Sequence, residues 1–222
     1  MHERASSRAM TDRTKAGTTT GKDDAPAGKL PRTKPAEVRL EELMAAAETL
    51  FLAQGVEATT ISEIVEHAQV AKGTFYHYFE SKSDMLAALA QRYTASFLDR
   101  LQHAVDACDT DDWLARLRAW IRTNIETYAA TYRTHDIVYA NHHHHDRANA
   151  DKNAILEQLG AILDGGARAG TWRLAHPQVT ALLIYAGVHG ATDHIIAAPE
   201  TDRAAFVDAV VDDCLRMLGV GT

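Results

Sequence analysis

Cysteine is nearly absent from this chain: Cys108 and Cys214 are the only two in 222 residues, and no CxxC spacing occurs. That excludes a disulfide-stapled secreted scaffold and suits a reducing cytoplasm. Long apolar runs are missing too. None approaches the roughly 18 residues that a membrane-spanning helix needs. No apolar stretch near the N-terminus precedes a small-residue cleavage site, so neither a membrane partner nor a secretory leader is expected. Alternating runs of β-branched residues between turns are also lacking, which argues against strands. So are the sequence fingerprints of common enzymes: there is no P-loop, HExxH, nucleophile elbow or dinucleotide-binding glycine turn. His189, Asp193 and His194 could be imagined as acid–base groups, but nothing announces a catalytic geometry. The expectation is a protein without a catalytic site and without a cofactor.

Positive charge is scarce where it would matter most. The formal net charge is −7. Residues 1–35 carry eight Lys/Arg against four Asp/Glu, so the remainder of the chain stands at −11. A nucleic-acid contact would therefore be local, made by a few placed cations and backbone amides.

Along the chain, residues 1–34 are rich in Ser, Thr, Ala, Gly, Lys and Arg without apolar periodicity, and read as a disordered basic tail. Ordered structure is expected from about Pro35, and from there the chain reads as helical almost throughout. Leu40, Leu43, Ala47, Leu50 and Phe51 form one stripe, closed by Gly55. Thr60 is a good N-cap, and Glu63 completes a capping box. Ile61, Ile64, Val65 and Ala68 mark a second, two-turn helix. A third spans about Ala71 to Tyr78, and Ser81 caps a long fourth with Met85, Leu86, Leu89 and Tyr93. Further helices are expected from Asp111 or Asp112 through Tyr128, at about 135–143, about 149–169, 177–197 and 201–218. The domain division is 35–82 followed by 83–222.

The chemistry sits in the third helix. At about 100° per residue, Ala71, Phe75 and Tyr78 share one face, with Thr74 at its edge, and can pack on the second helix. Lys72, Gly73, Tyr76 and His77 then point outward. A short buried helix, a tight connection at Gln69-Val70 and a helix with an outward polar face make a helix-turn-helix. The outward set suits DNA: Lys72 supplies a cation for a phosphate or guanine edge, Gly73 lets the backbone approach the duplex, and Tyr76 and His77 can hydrogen-bond phosphate or base edges. Thr60 and Lys82 lie at helix N-termini, where free amides favour a phosphate. The plainer alternative is a three-helix subdomain with exposed polar residues.

The string Gly73-Thr74-Phe75-Tyr76-His77-Tyr78-Phe79-Glu80-Ser81-Lys82, with Ala46-Ala47, Leu50-Phe51, Gly55, Thr59-Thr60-Ile61, Ile64 and Ala68 before it, resembles the DNA-binding domain of TetR-family regulators over about 50 residues. The resemblance implies an all-α protein in which an N-terminal helix-turn-helix is joined to a helical effector-binding and dimerisation domain. It implies DNA contacts at Thr60, Lys72, Thr74, Tyr76, His77 and Lys82. It further implies a repressor of operator DNA released by a small-molecule effector, although activation stays open. One departure stands out: residues 36–82 carry Arg39, Lys72 and Lys82 against eight glutamates. The basic tail could supply phosphate affinity, or be inert.

Trp113, Trp120, Tyr128, Tyr132 and Tyr139 fall at helical spacing, which suits either core or an effector pocket. The resemblance places such a pocket among the middle helices, and Trp113, Trp120, Tyr128 and Tyr139 are the candidates to line it, although the sequence does not show which of them face a cavity. Leu182, Leu183, Ile184, Ala186 and Val188, followed by Phe206, Val207, Val210 and Val211, give the last two helices more apolar surface than one stripe needs. The resemblance favours a homodimer through them. His142, His145 and Asp146 could share a helix face and ligate a metal, so a metal-sensing regulator is one alternative. A helical ligand-binding protein without DNA activity is another. The cysteines lack cationic neighbours and read as inert thiols.

Overall fold

The computed structural model describes residues 35–139 and 150–220. Among them are eight α-helices and no strand. α1 (Ala36–Gln54), α2 (Ile61–His67) and α3 (Lys72–Tyr78) form a small head. α4 (Lys82–Asp106) leads out of it, followed by α5 (Trp113–Tyr139), α6 (Ala150–Arg168), α7 (Pro177–Ala197) and α8 (Arg203–Met217).

The boundaries follow from local chemistry. α1 stops where Gly55 takes φ 85°, a conformation that glycine adopts readily and a side-chain-bearing residue rarely does. α2 starts with the full capping box, Thr60 Oγ1 accepting from the Glu63 amide while Glu63 accepts from the Thr60 amide. Ser81 caps α4 by accepting from the Asp84 amide, and Asp202 caps α8 by accepting from the Ala205 amide. α7 opens with Pro177 in its first turn, where the missing N–H is harmless.

Two boundaries differ from expectation. The separate helix at 135–143 does not exist over its described part, because α5 runs without interruption to Tyr139. No glycine or proline interrupts 128–139, and Val138, 1% exposed, is drawn into the apolar cluster beneath α1. The last helix begins at Arg203 rather than at Thr201, since Asp202 supplies the cap. The basic segment 1–34 and the cluster His142–Asp146 lie outside the described residues.

Two apolar clusters run through the fold. One joins Leu43, Ala47, Phe51, Ile64, Phe75, Phe79 and Met85 at the head. The other joins Leu101, Leu117, Trp120, Ile121, Leu159, Ile184, Val211 and Leu215 in the body. α4 contributes to both, and Tyr93 packs against each. No described helix is long and apolar enough to cross a membrane. Among the described residues no group of three or more His, Cys, Asp or Glu could hold a metal.

Candidate nucleic-acid interface and effector cleft

The head is built to push one face of α3 outward. Phe75 is fully buried, Phe79 is 8% exposed, and the Tyr78 hydroxyl donates to the Ala36 carbonyl at 2.8 Å, stapling α3 to the start of α1. With that side fixed, Lys72, Gly73, Tyr76 and His77 are all exposed and Thr74 is half-buried. Tyr76 reaches 53% exposure, unusual for so large a ring. A Cβ added at Gly73 would meet no atom within 4 Å, so its backbone face is open to a partner. Ala71, expected on the inner face, is exposed instead: its φ −71°, ψ 148° make it the N-cap, outside the helical wheel on which the expectation rested.

The α2–α3 connection is tight. The Val70 amide donates to the Val65 carbonyl at 3.0 Å, and Gln69 adopts φ 55° to turn the chain. Lys72 Nζ lies 3.3 Å from Ser62 Oγ, a light tether on an exposed side chain. Thr60 is exposed, and its hydroxyl is committed to Glu63 Oε2 at 2.8 Å. The carboxyl of Glu63 is held below its ordinary range, first by the Thr60 amide, then by the Thr60 hydroxyl and Gln54.

Lys82 turns out differently from the other cations. Its ammonium donates to the carbonyls of Val56, Thr59 at 2.9 Å and Glu57 at 3.3 Å. Three donors meet three acceptors, so Lys82 ties down the α1–α2 loop that presents Thr60.

The candidate effector residues divide in two. Trp113 and Trp120 are packing residues. Trp113 closes over Gly165, where an added Cβ would sit 2.2 Å from its ring, and Arg116 lies over it at 5.1 Å. Trp120 is fully buried and donates from Nε1 to Gln158 Oε1 at 3.0 Å. Tyr128 and Tyr139 instead belong to a ladder of rings between α5 and α7. Tyr185 stacks on His189 at 5.9 Å, His189 on Tyr128 at 4.7 Å, and His135 lies 4.7 Å from Tyr128 and 4.9 Å from Tyr139. Desolvation, helped by Asp193, which accepts the Tyr128 hydroxyl at 3.2 Å, pushes that phenol well above its ordinary range. Burial likewise raises Tyr185. Cys214 is pushed up to about 11 by burial and by Asp213, which makes it an unreactive thiol.

Sequence reasoning missed a cleft of about 340 Å³ at the junction of α1, α4 and α5. Its walls include Arg92, Tyr93, Phe97 and Arg100 of α4, Thr131 of α5 and Glu48 of α1. Tyr93 connects it to the ring ladder, 5.9 Å from His135 and 6.2 Å from Tyr139. Polar residues at helical spacing read as a solvated face, and only the packing of three helices reveals the hollow.

A helix-turn-helix head on an all-helical body, with a cleft at their junction, is an architecture suited to a DNA-binding regulator. The bacterial regulatory protein family tetR is matched by residues 43–89, which span the end of α1 through the start of α4. The chain is 26% identical to the HTH-type transcriptional repressor NemR of Escherichia coli over 156 residues, 70% of each chain. A structure of a protein of unknown function from Rhodococcus sp. RHA1 superposes with a TM-score of 0.71 at 21% identity, covering 86% of this chain and 98% of the other. FadR from Bacillus subtilis in complex with stearoyl-CoA superposes with a TM-score of 0.64 at 19% identity, over 82% and 98%. Residues 43–89 thus match the DNA-binding domain of the tetR family of bacterial regulatory proteins, and the fold as a whole is that of TetR-like regulators.

Proposed function

We propose that this protein is a cytoplasmic, homodimeric repressor that holds operator DNA through α3 and lets it go when a small molecule binds in the body. One observation carries the reading: a seven-residue helix, anchored by fully buried Phe75, presents Lys72, Gly73, Tyr76 and His77 together to solvent. Lys72 and the amides around Gly73 suit phosphate, and Tyr76 and His77 suit base edges or backbone oxygens. Thr74 and Thr60 flank this face. Lys82 is assigned a positioning role, because its three carbonyl partners already occupy its protons. The similarity to the repressor NemR, and to FadR solved with stearoyl-CoA, supports repression relieved by an effector.

Dimerisation is assigned to the exposed apolar face of α7, where Val179, Leu182 and Leu183 are 46–55% exposed, with Met217 of α8 at 52%. Gly187 and Gly190 on the same helix leave open space for a close neighbour. A pair of α7–α8 hairpins would form a four-helix bundle and set two heads at the spacing a palindromic operator requires.

The test is binding of the purified protein to DNA upstream of its own gene, read by fluorescence anisotropy across a salt series. Saturable binding that exceeds binding to a scrambled duplex, weakens with salt, and falls tenfold or more in Tyr76→Ala and Lys72→Ala is the expected result. Unchanged affinity in both variants would overturn the assignment of α3 and favour a ligand-binding protein without DNA activity.

A further inference from the structure

The cleft at the head–body junction has cations among its walls and an apolar side, and one of its cations also fastens the head. Arg92 of α4 reaches across to α1, donating to Glu41 at 3.0 Å and to Glu48 at 2.8 Å. Two turns further along α4, Arg100 is exposed and has no hydrogen bond or ion pair among the described residues. Phe97, Leu89 and the ring of Tyr93 give the same cleft an apolar side, while the Tyr93 hydroxyl is occupied by Thr131 at 2.9 Å. The volume of about 340 Å³ lies at the small end of the range for small-molecule sites, roughly 300–1,000 Å³.

We propose that this cleft takes a small organic carboxylate with an apolar body, and that its binding unfastens α1 from α4. The proposal rests on the reading of the protein as an effector-released repressor and names the effector's class and its lever. Arg92 already holds carboxylates, which shows that its fork is presented in a geometry suited to them. A ligand carboxylate between Arg92 and Arg100 gains a cation that no glutamate holds and competes with Glu48 for one that is held. The ligand's body covers Phe97 and the Tyr93 ring. Glu48 keeps the Thr134 hydroxyl at 3.4 Å when it loses Arg92, so the exchange strands no buried charge. α1 packs on α2, and α2 on α3. Loosening α1 from α4 therefore changes how the reading helix is held. By linkage, the ligand weakens operator binding by the factor with which the operator weakens ligand binding.

The experiment uses the full chain and three probe pairs: benzoate, 4-phenylbutanoate and octanoate, each against its neutral alcohol. Calorimetry measures binding without DNA, and anisotropy then measures operator affinity with and without each probe. At least one acid is expected to bind tenfold or more tightly than its alcohol. That preference should vanish in Arg100→Ala, whose exposed side chain is dispensable for folding. The same acid should weaken operator binding in the wild type. Arg92→Ala without any probe should already bind operator more weakly. Equal binding of acid and alcohol throughout the panel, or an Arg100→Ala protein that keeps the preference, overturns the site. Acid binding that leaves operator affinity unchanged overturns the lever. A wild-type protein that binds no DNA fails the repressor reading separately, since calorimetry decides the site without DNA.

Discussion

Head and body use aromatic residues in opposite ways. In the head, Tyr76 stands 53% exposed on a helix of seven residues. In the body, Trp120 sits fully buried on a helix of twenty-seven. The difference is one of coverage. α3 packs on α2 along one side, where Phe75 is buried and the Tyr78 hydroxyl reaches the start of α1, and the other face is left for a partner. α5 packs against α1, α4, α6, α7 and α8, so Leu117, Trp120, Ile121, Ile125, Tyr128 and Val138 along it are all buried. The same residue types at the same spacing are a contact surface in one region and a core in the other. What decides is how many neighbours a helix has, a tertiary property.

The sharpest way to break this comparison is to truncate one ring in each region. Trp120→Ala removes a fully buried indole and orphans Gln158 Oε1. It is expected to cost about 3–5 kcal/mol of unfolding free energy in urea melts. Tyr76→Ala should stay within about 0.5 kcal/mol of wild type in the same assay while losing operator affinity. Comparable destabilisation by the two would mean that α3 is packed on both sides and that its outward face is not free.

A second pair of substitutions sharpens the contrast inside the head. Lys72 and Lys82 both read as phosphate contacts in the sequence. Only Lys82 is half-buried and bonded to three loop carbonyls. Lys82→Met should lower stability by about 1–3 kcal/mol, because the carbonyls lose a charged donor, and should weaken operator binding through disorder of the loop before Thr60. Lys72→Met should leave the melting curve in place and act on DNA affinity alone. Equal and small stability effects would return Lys82 to a direct DNA contact.

Legibility in the sequence followed locality. The helix-turn-helix was readable because its determinants are near one another: Thr60 and Glu63 within one turn, Phe75 against the four outward residues, Ser81 at the head of α4. Pro177 fixed the start of α7 for the same reason. α5 ran past its expected end because no breaker stood there and because the burial of Val138 under α1 is a contact across about 90 positions. The roles of Trp113 and Trp120 were ambiguous until Gly165 and Gln158, on another helix, came into contact with them. The cleft and the Arg92 clasp were invisible, since Glu41, Glu48 and Arg92 are ordinary surface residues until α1 and α4 cross.

The smallest expected effect probes the most local feature, the cap of α2. Thr60→Ala removes the hydroxyl that accepts from the Glu63 amide, and should cost about 1 kcal/mol. The cap also carries a pH signature with a definite sign. The carboxyl of Glu63 is depressed in the folded protein, chiefly by the Thr60 amide, and in the unfolded chain it returns to its ordinary range. A depressed carboxyl binds its proton less readily when folded, so its stabilising contribution is complete above the unfolded value and fades as pH falls through the folded one. Melts of wild type and Glu63→Gln should therefore differ most near neutrality and converge as pH falls below the ordinary carboxyl range. Because Glu63 is exposed, added salt should shrink the neutral-pH difference. A gap between the two proteins that stays constant from neutrality into acid would show that the cap is held by geometry alone, with no contribution from the carboxylate charge.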